Sequence, residues 1–313
     1  MPDRSFRYPL RWHVMDALER GADILWPATF SRMTGWLLAA PAILLVGLLV
    51  LGLIQIGDAS MHVLDTSTFR MSEAYTLANY ADAFTSAVYF KVAWRSLLAA
   101  ALTTALTLAF AFPYAYAMVR TRSATVRKAL LIALFLPFFI GQVVRAYGWL
   151  IILGNNGIVN DMLGVVGVEP IRLLFNFPAV IFGLVQYMLP FGVLMLAPAL
   201  TAIPEETEIA AGSLGASWPR AIWHVILPMA RPGLIGAGIV VFTLSLTDFA
   251  MPAILGGGSQ DFIANAIYDQ FFRTADQGLG SALALMLVAL GSLIVGAVFT
   301  LFGAGTLALG ARK

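Results

Sequence analysis

Six stretches of this chain are continuously apolar over lengths that ordinary core elements do not reach. They lie at about Gly35–Ile56, Ser96–Val119, Ala129–Leu150, Pro178–Ala202, Gly233–Leu255 and Ser281–Leu309. At 1.5 Å rise per residue, about 20 apolar residues cross a hydrocarbon layer of roughly 30 Å. Each run therefore predicts a membrane-spanning helix. The third run is interrupted by Gly141, Gln142 and Arg145, which predicts an early end and a short outer helix beyond it.

Composition agrees with the pattern. The chain has 313 residues, 60% of them hydrophobic and 12% charged, with a mean hydropathy of +0.84. A soluble domain carries about 25% charge. The expected fold class is therefore an all-α membrane protein of six transmembrane helices. Residues 1–33 are expected to form a cytoplasmic tail, and residues 34–313 the membrane domain. Within the tail, "YPLRWHVMDALERGADILW" reads either as an amphipathic interfacial helix or as a loose basic tail. The tail holds no apolar core of the signal-peptide kind, so the first span is expected to stay as an uncleaved anchor.

Charge sets direction. Arg4, Arg7, Arg11, Arg20 and Arg32 precede the first run, and Arg120, Arg122, Arg127 and Lys128 separate the second and third. Arg220 and Arg231 lie between the fourth and fifth, and Arg312 and Lys313 end the chain. Fewer basic residues mark the alternate loops, 58–91, 154–177 and 256–279. The excess of positive charge inside predicts both termini in the cytoplasm. A net charge of +2 gives no reason to expect a nucleic-acid partner.

Catalytic chemistry is sparse. Without cysteine there is no disulfide, thiol nucleophile or thiolate metal site. His13, His62 and His224 are scattered, and no metal set is expected. None of Lys91, Lys128 and Lys313 follows a phosphate-cradling glycine loop. The chain is not expected to be an enzyme or to bind ATP itself.

The longest polar stretch of the second half is "EETEIAAGSLGASWPRAIWHVILPMARPG", Glu205 to Gly233. It falls on the cytoplasmic side, between spans four and five. Pro204 and the following glutamates suit a helix start. Ala210, Ala211 and Leu214 share one face, with small residues that permit close approach. Gly215 suits a helix end, and Pro219, Pro228 and Pro232 predict short pieces afterwards.

This stretch resembles the cytoplasmic Glu-Ala-Ala loop of binding-protein-dependent ABC importer permeases. Ala210 and Ala211 match the alanines, Gly215 the glycine and Leu227-Pro228 the Leu-Pro pair, with Val225 in place of isoleucine. Ile209 stands at the usual glutamate, and Glu208, Glu205 or Glu206 is the expected substitute. The resemblance implies a coupling helix, within a loop at 203–232, that docks on a separate ATPase subunit.

"YTLANYADAF", "YFKVAWRSLLAAALTTALTLAFAFPYAYAM", "FLPFFIGQVVRAYGWLIILGNNGIVN" and "LTDFAMPAILGGGSQDFIANAIYDQFF" carry a narrower likeness to the spermidine/putrescine permease family. The member with the longer first outer loop fits best, with Pro113, Ala115 and Tyr116 in the second span. That resemblance implies a type I importer in the bacterial inner membrane. Its parts would be this permease, a sister permease, two ATPase subunits that bind ATP and magnesium, and an external (periplasmic) binding protein. It leaves an opine, an aminophosphonate or another small solute as alternative cargo. A secondary transporter is a more distant alternative, which would call for inverted repeats and more intramembrane charges.

Asp248 is the acid well inside a predicted span, and ionisable residues there usually serve function. Counted from Gly233 it lies ~22 Å along span five, and Arg145 lies ~24 Å along span three. Three readings follow. The two pair across spans; Asp248 lines the pathway and meets a cation; or it bonds backbone at a break before Pro252. Tyr147, Trp149, Phe249, Tyr268 and Phe271 are candidate cation–π partners. The loops 152–161 and 256–270 are candidate docking sites for the binding protein.

Overall fold

The computed structural model describes residues 12, 15, 16, 28–65 and 67–303, with backbone alone for 28–34 and 302–303. Most of the N-terminal tail, read either as an interfacial helix or as a loose basic tail, and the last basic residues lie outside the described residues. Contacts divide the chain into one unit that ends at Asp58 and a second that begins at Ala59.

The first unit carries all but the last residue of α1, Ala28–Ala59, which continues through Pro41. The second unit opens with a two-residue antiparallel ladder, β1 (Leu64–Asp65) against β2 (Arg70–Met71). Helices follow: α2 (Ala78–Thr85), α3 (Ala87–Arg120), α4 (Ala124–Phe135), α5 (Gln142–Ile152), α6 (Ile158–Val165) and α7 (Phe177–Thr201). Then come α8 (Glu205–Ser213), α9 (Trp218–Met229, with a π turn at Ile222–Ile226), α10 (Arg231–Leu246), α11 (Ala250–Leu255), α12 (Ile263–Phe272) and α13 (Gln277–Val298). The fold is a helical membrane bundle. Four of its helices are long and apolar enough to cross a membrane, or up to six if each of two bent pairs is one span.

The centre is α3, α7 and α10, packed on one another. Small residues allow this. A Cβ on Gly192 would stand 3.0 Å from Ala111 Cβ, and one on Gly233 would stand 2.3 Å from Ala199 Cβ. Lipid offers apolar surface as good as leucine, so close van der Waals contact is what holds such helices together. Ala111, Ala115, Val193, Leu196, Leu200 and Ala237 form one buried cluster at this junction. Leu184, Met251, Leu255 and Phe262 anchor another, where α7 meets α11.

The breaks differ in part from the sequence pattern. The third run does bend: α4 continues as a 3-10 turn at Leu136–Phe139, and α5 leaves at 97°. The fifth run, expected as one helix to Leu255, stops at Leu246 and restarts at Ala250. Pro252 has no N–H for the carbonyl of Asp248, and the Asp248 carboxylate takes the Met251 N–H instead. The region after Gly215 is more continuous than its prolines suggest. Pro219 sits in the first turn of α9, where no donor is needed. The Leu227 N–H reaches back to Ile222 O, and this wider turn admits Pro228 without ending the helix. The sharp change of 71° comes at Ala230, before Pro232.

Candidate functional site

Two places gather the chemistry. The first is α8. Glu205, Glu206 and Glu208 stand in its first turn, where carboxylates oppose the positive end of the helix dipole. Its last turn closes through Gly215, whose φ of +84° suits a residue without Cβ. The Ala216 N–H bonds Ala211 O and the Gly215 N–H bonds Gly212 O, so few carbonyls are left open. Beyond this cap Leu214 projects 90% exposed, with Ile209, Trp218 and Trp223 also largely exposed. Glu205, Glu206, Ala210 and Gly215 are exposed, and Ala211 is half-buried. Leu227 and Pro228 belong to α9 and are half-buried.

Glu208 faces inward. Its carboxylate accepts from Arg120 Nε at 2.6 Å and from the Tyr116 hydroxyl at 2.6 Å. Arg120 also donates to Ile203 O at 2.9 Å. The base of α8 is thereby tied to the last turn of α3. Glu205 and Glu206 are the exposed carboxylates of α8, whereas that of Glu208 is engaged within the chain. Beside this knot an apolar groove of about 750 Å³ runs between α3 and α9, past Phe112, Tyr116, Trp218 and Trp223.

The second place is Asp248, only 7% exposed, in the break between α10 and α11. Its carboxylate accepts from the Gln142 amide at the start of α5 and from the Met251 N–H at 2.9 Å. It borders a cavity of about 360 Å³ with Gln142, Tyr187, Leu244, Thr247 and Phe249. Of the three readings of Asp248, the pairing with Arg145 does not form. Arg145 donates to the carbonyls of Pro137 and Ile140 at the bend before α5, the first of which also takes the Ile140 N–H. Its guanidinium lies 5.4 Å from the centre of the Tyr187 ring. The backbone-bonded reading is therefore met, and the carboxylate also lines a cavity.

The aromatic candidates divide. Phe249 borders the cavity and packs tilted against Tyr268, ring centres 4.8 Å apart; Tyr268 borders a smaller hollow of about 120 Å³ with Asp261, Asn265, Asp269 and Arg273. Tyr147 is exposed and does not line the cavity. Trp149 packs edge-on against Phe182 at 4.7 Å and points its N–H at Gln186, so it joins α5 to α7 instead. Tyr187 is a lining residue that is not among the sequence candidates. The pair Gln186-Tyr187, polar in the middle of an apolar run, was the available signal. Asn265 completes the local frame: it donates to Phe249 O and accepts from the Phe262 N–H.

Among the described residues no three His, Asp or Glu converge as a metal site. The chain is similar to spermidine/putrescine transport system permease protein PotB of Haemophilus influenzae, 32% identical over 222 residues, covering 70% of this chain and 77% of that protein. It is likewise 32% identical to PotB of Escherichia coli over 250 residues, covering 78% and 90%. A bacterial alginate ABC transporter, crystallised with an alginate-bound periplasmic protein, shares the fold at TM-score 0.72 and 19% identity, over 88% of this chain and 95% of that one. Residues 120–306 match the model of the binding-protein-dependent transport system inner membrane component. The chain belongs to that family of multi-pass permeases of the bacterial inner membrane.

Proposed function

We propose that this chain is the translocating subunit of an ATP-driven importer that takes up a polyamine, putrescine or spermidine, delivered by an external binding protein. The likeness to PotB over more than two thirds of both chains carries the choice of cargo. In this reading six spans hold both termini in the cytoplasm. A sister permease forms the other half of the pathway. Two ATPase subunits supply ATP and magnesium chemistry that this chain lacks.

The observation that supports coupling is α8. It presents Leu214 and Ile209 outward while Glu208 fixes its base to α3. An exposed apolar tip on a helix anchored at one end suits insertion into a groove on the ATPase. Its anchor passes the displacement to span two, and α9 with its 71° bend passes it to span five. The substituted acidic contact falls to Glu205 and Glu206.

The test is ATP hydrolysis by the reconstituted importer with its binding protein, titrated in turn with putrescine, spermidine, an opine and an aminophosphonate. Stimulation by a polyamine alone is the expected result. Stimulation by another ligand alone discards the polyamine and keeps the importer. Failure of an ATPase chain to co-purify overturns the coupling reading.

A further inference from the structure

A carboxylate inside a membrane span is costly, and such groups usually carry a partner or a pathway. Asp248 has two partners, the Gln142 amide and the Met251 N–H, and neither carries a charge. Ion pairs among the described residues are Arg120–Glu208 and Arg273–Asp269, so Asp248 has no cation within pairing distance there.

Arg145 presents the converse. It is only 8% exposed, and its Nε and one terminal nitrogen are buried without a hydrogen-bond partner. A buried charged donor left unpaired is expensive. Arg145 follows Gln142 by three residues on α5, which places both on one helix face. Gln142 already holds Asp248. Tyr187 joins the two groups: it borders the cavity beside Asp248 and carries the Arg145 guanidinium over its ring. Each buried ion therefore lacks what the other could supply, and a cavity with an aromatic wall lies beside the carboxylate.

We propose that this cavity is an intramembrane site for one ammonium group of the cargo, with Asp248 as its counter-ion. Arg145 is the internal cation that takes the place of the ammonium at Asp248 when the cargo leaves. The volume of about 360 Å³ suits a slender aliphatic amine. Tyr187 and Phe249 offer ring faces that an ammonium also favours. Exchange of one cation for another neutralises the carboxylate as the cargo is released. It also makes release independent of water reaching the site. The proposal rests on the reading of the cargo as an organic cation and adds where it is held and what displaces it.

The test needs one readout that does not depend on the cargo. The chain has no cysteine, so Thr247→Cys, exposed on the cavity wall, introduces its sole thiol. Leu244→Cys is a second position on the same wall. In the complete importer, each is labelled with a cationic ethylammonium and an anionic ethylsulfonate methanethiosulfonate. The ratio of the two rates is expected to fall at least about tenfold when Asp248→Asn is added, because the attracting charge is gone. A ratio unchanged by Asp248→Asn at both positions overturns the site. Putrescine is expected to slow the cationic labelling.

Uptake into proteoliposomes tests the exchange. Asp248→Asn is expected to cut putrescine uptake at least about tenfold. Arg145→Met is expected to lower both KM and Vmax, because cargo is held longer, and Arg145→Lys to restore both. An unchanged KM in Arg145→Met, or equal loss in both Arg145 variants, overturns the exchange. Charge-selective labelling that depends on Asp248, with no uptake of putrescine or spermidine by the wild-type importer, keeps the cation site and overturns the polyamine reading alone.

Discussion

The tie between Glu208 and Arg120 can be weighed directly. The carboxylate accepts two bonds of 2.6 Å, one from the guanidinium and one from Tyr116. A hydrogen bond to a charged group contributes about 1.5–3 kcal/mol. The side chains of Arg120 and Glu208 are 14% and 21% exposed, so water reaches the pair and discounts it. A coupling of about 1–2 kcal/mol between the two residues is expected after that discount. Glu208→Gln keeps the shape and removes the charge; Arg120→Met keeps the stem and removes the donor. The two variants and their double mutant form a cycle, read as the affinity of the purified ATPase for the permease in lipid nanodiscs. Each single variant should weaken association roughly five- to thirtyfold, and the double mutant should be little worse than either, since 1.4 kcal/mol is tenfold. Uptake per ATP hydrolysed should fall in parallel, because α8 is no longer fixed to span two. Additivity within about 0.5 kcal/mol would refute the reasoning, as independent residues behave that way.

Leu214→Asp places a charge on the apolar tip of α8 and should abolish co-purification of the ATPase, whereas the exposed Ser213→Asp should be far milder. Gly233→Ala puts a methyl 2.3 Å from Ala199 Cβ and should cost about 1–3 kcal/mol, seen as a lower inactivation temperature of the purified permease. Gly236→Ala, where nothing lies within 4 Å of the added methyl, should leave that temperature unchanged. Asn160→Ala removes an amide that bonds Gly154 O, Ile171 O and the Ile171 N–H. It should cost about 1–3 kcal/mol locally, seen as faster protease cleavage at 154–171 and weaker stimulation by the binding protein.

Much of the frame follows from the sequence because membrane insertion is a local property. A run of apolar residues predicts its helix whatever packs beside it, and all six runs are helical through most of their described length. The break at Gly141 was legible for the same reason: glycine and polar residues interrupt the run where the chain turns. The Ala-Ala and Gly215 spacing likewise marked a short helix and its end, and α8 runs from Glu205 to Ser213. What the sequence left open is which partner each charge takes. Counted along straight spans, Asp248 and Arg145 fall at similar depths, which kept their pairing open as one of three readings; the 97° bend before α5 removes that straight count. The carbonyls of Pro137 and Ile140 hold Arg145 at the bend before α5, while Gln142 holds Asp248. Glu208 was one of three equivalent glutamates until the end of α3 came to rest beneath it. Hydropathy acts on each residue alone, so the apolar helices follow from composition. Partnership depends on distance and direction between distant residues, so only the packed bundle decided it.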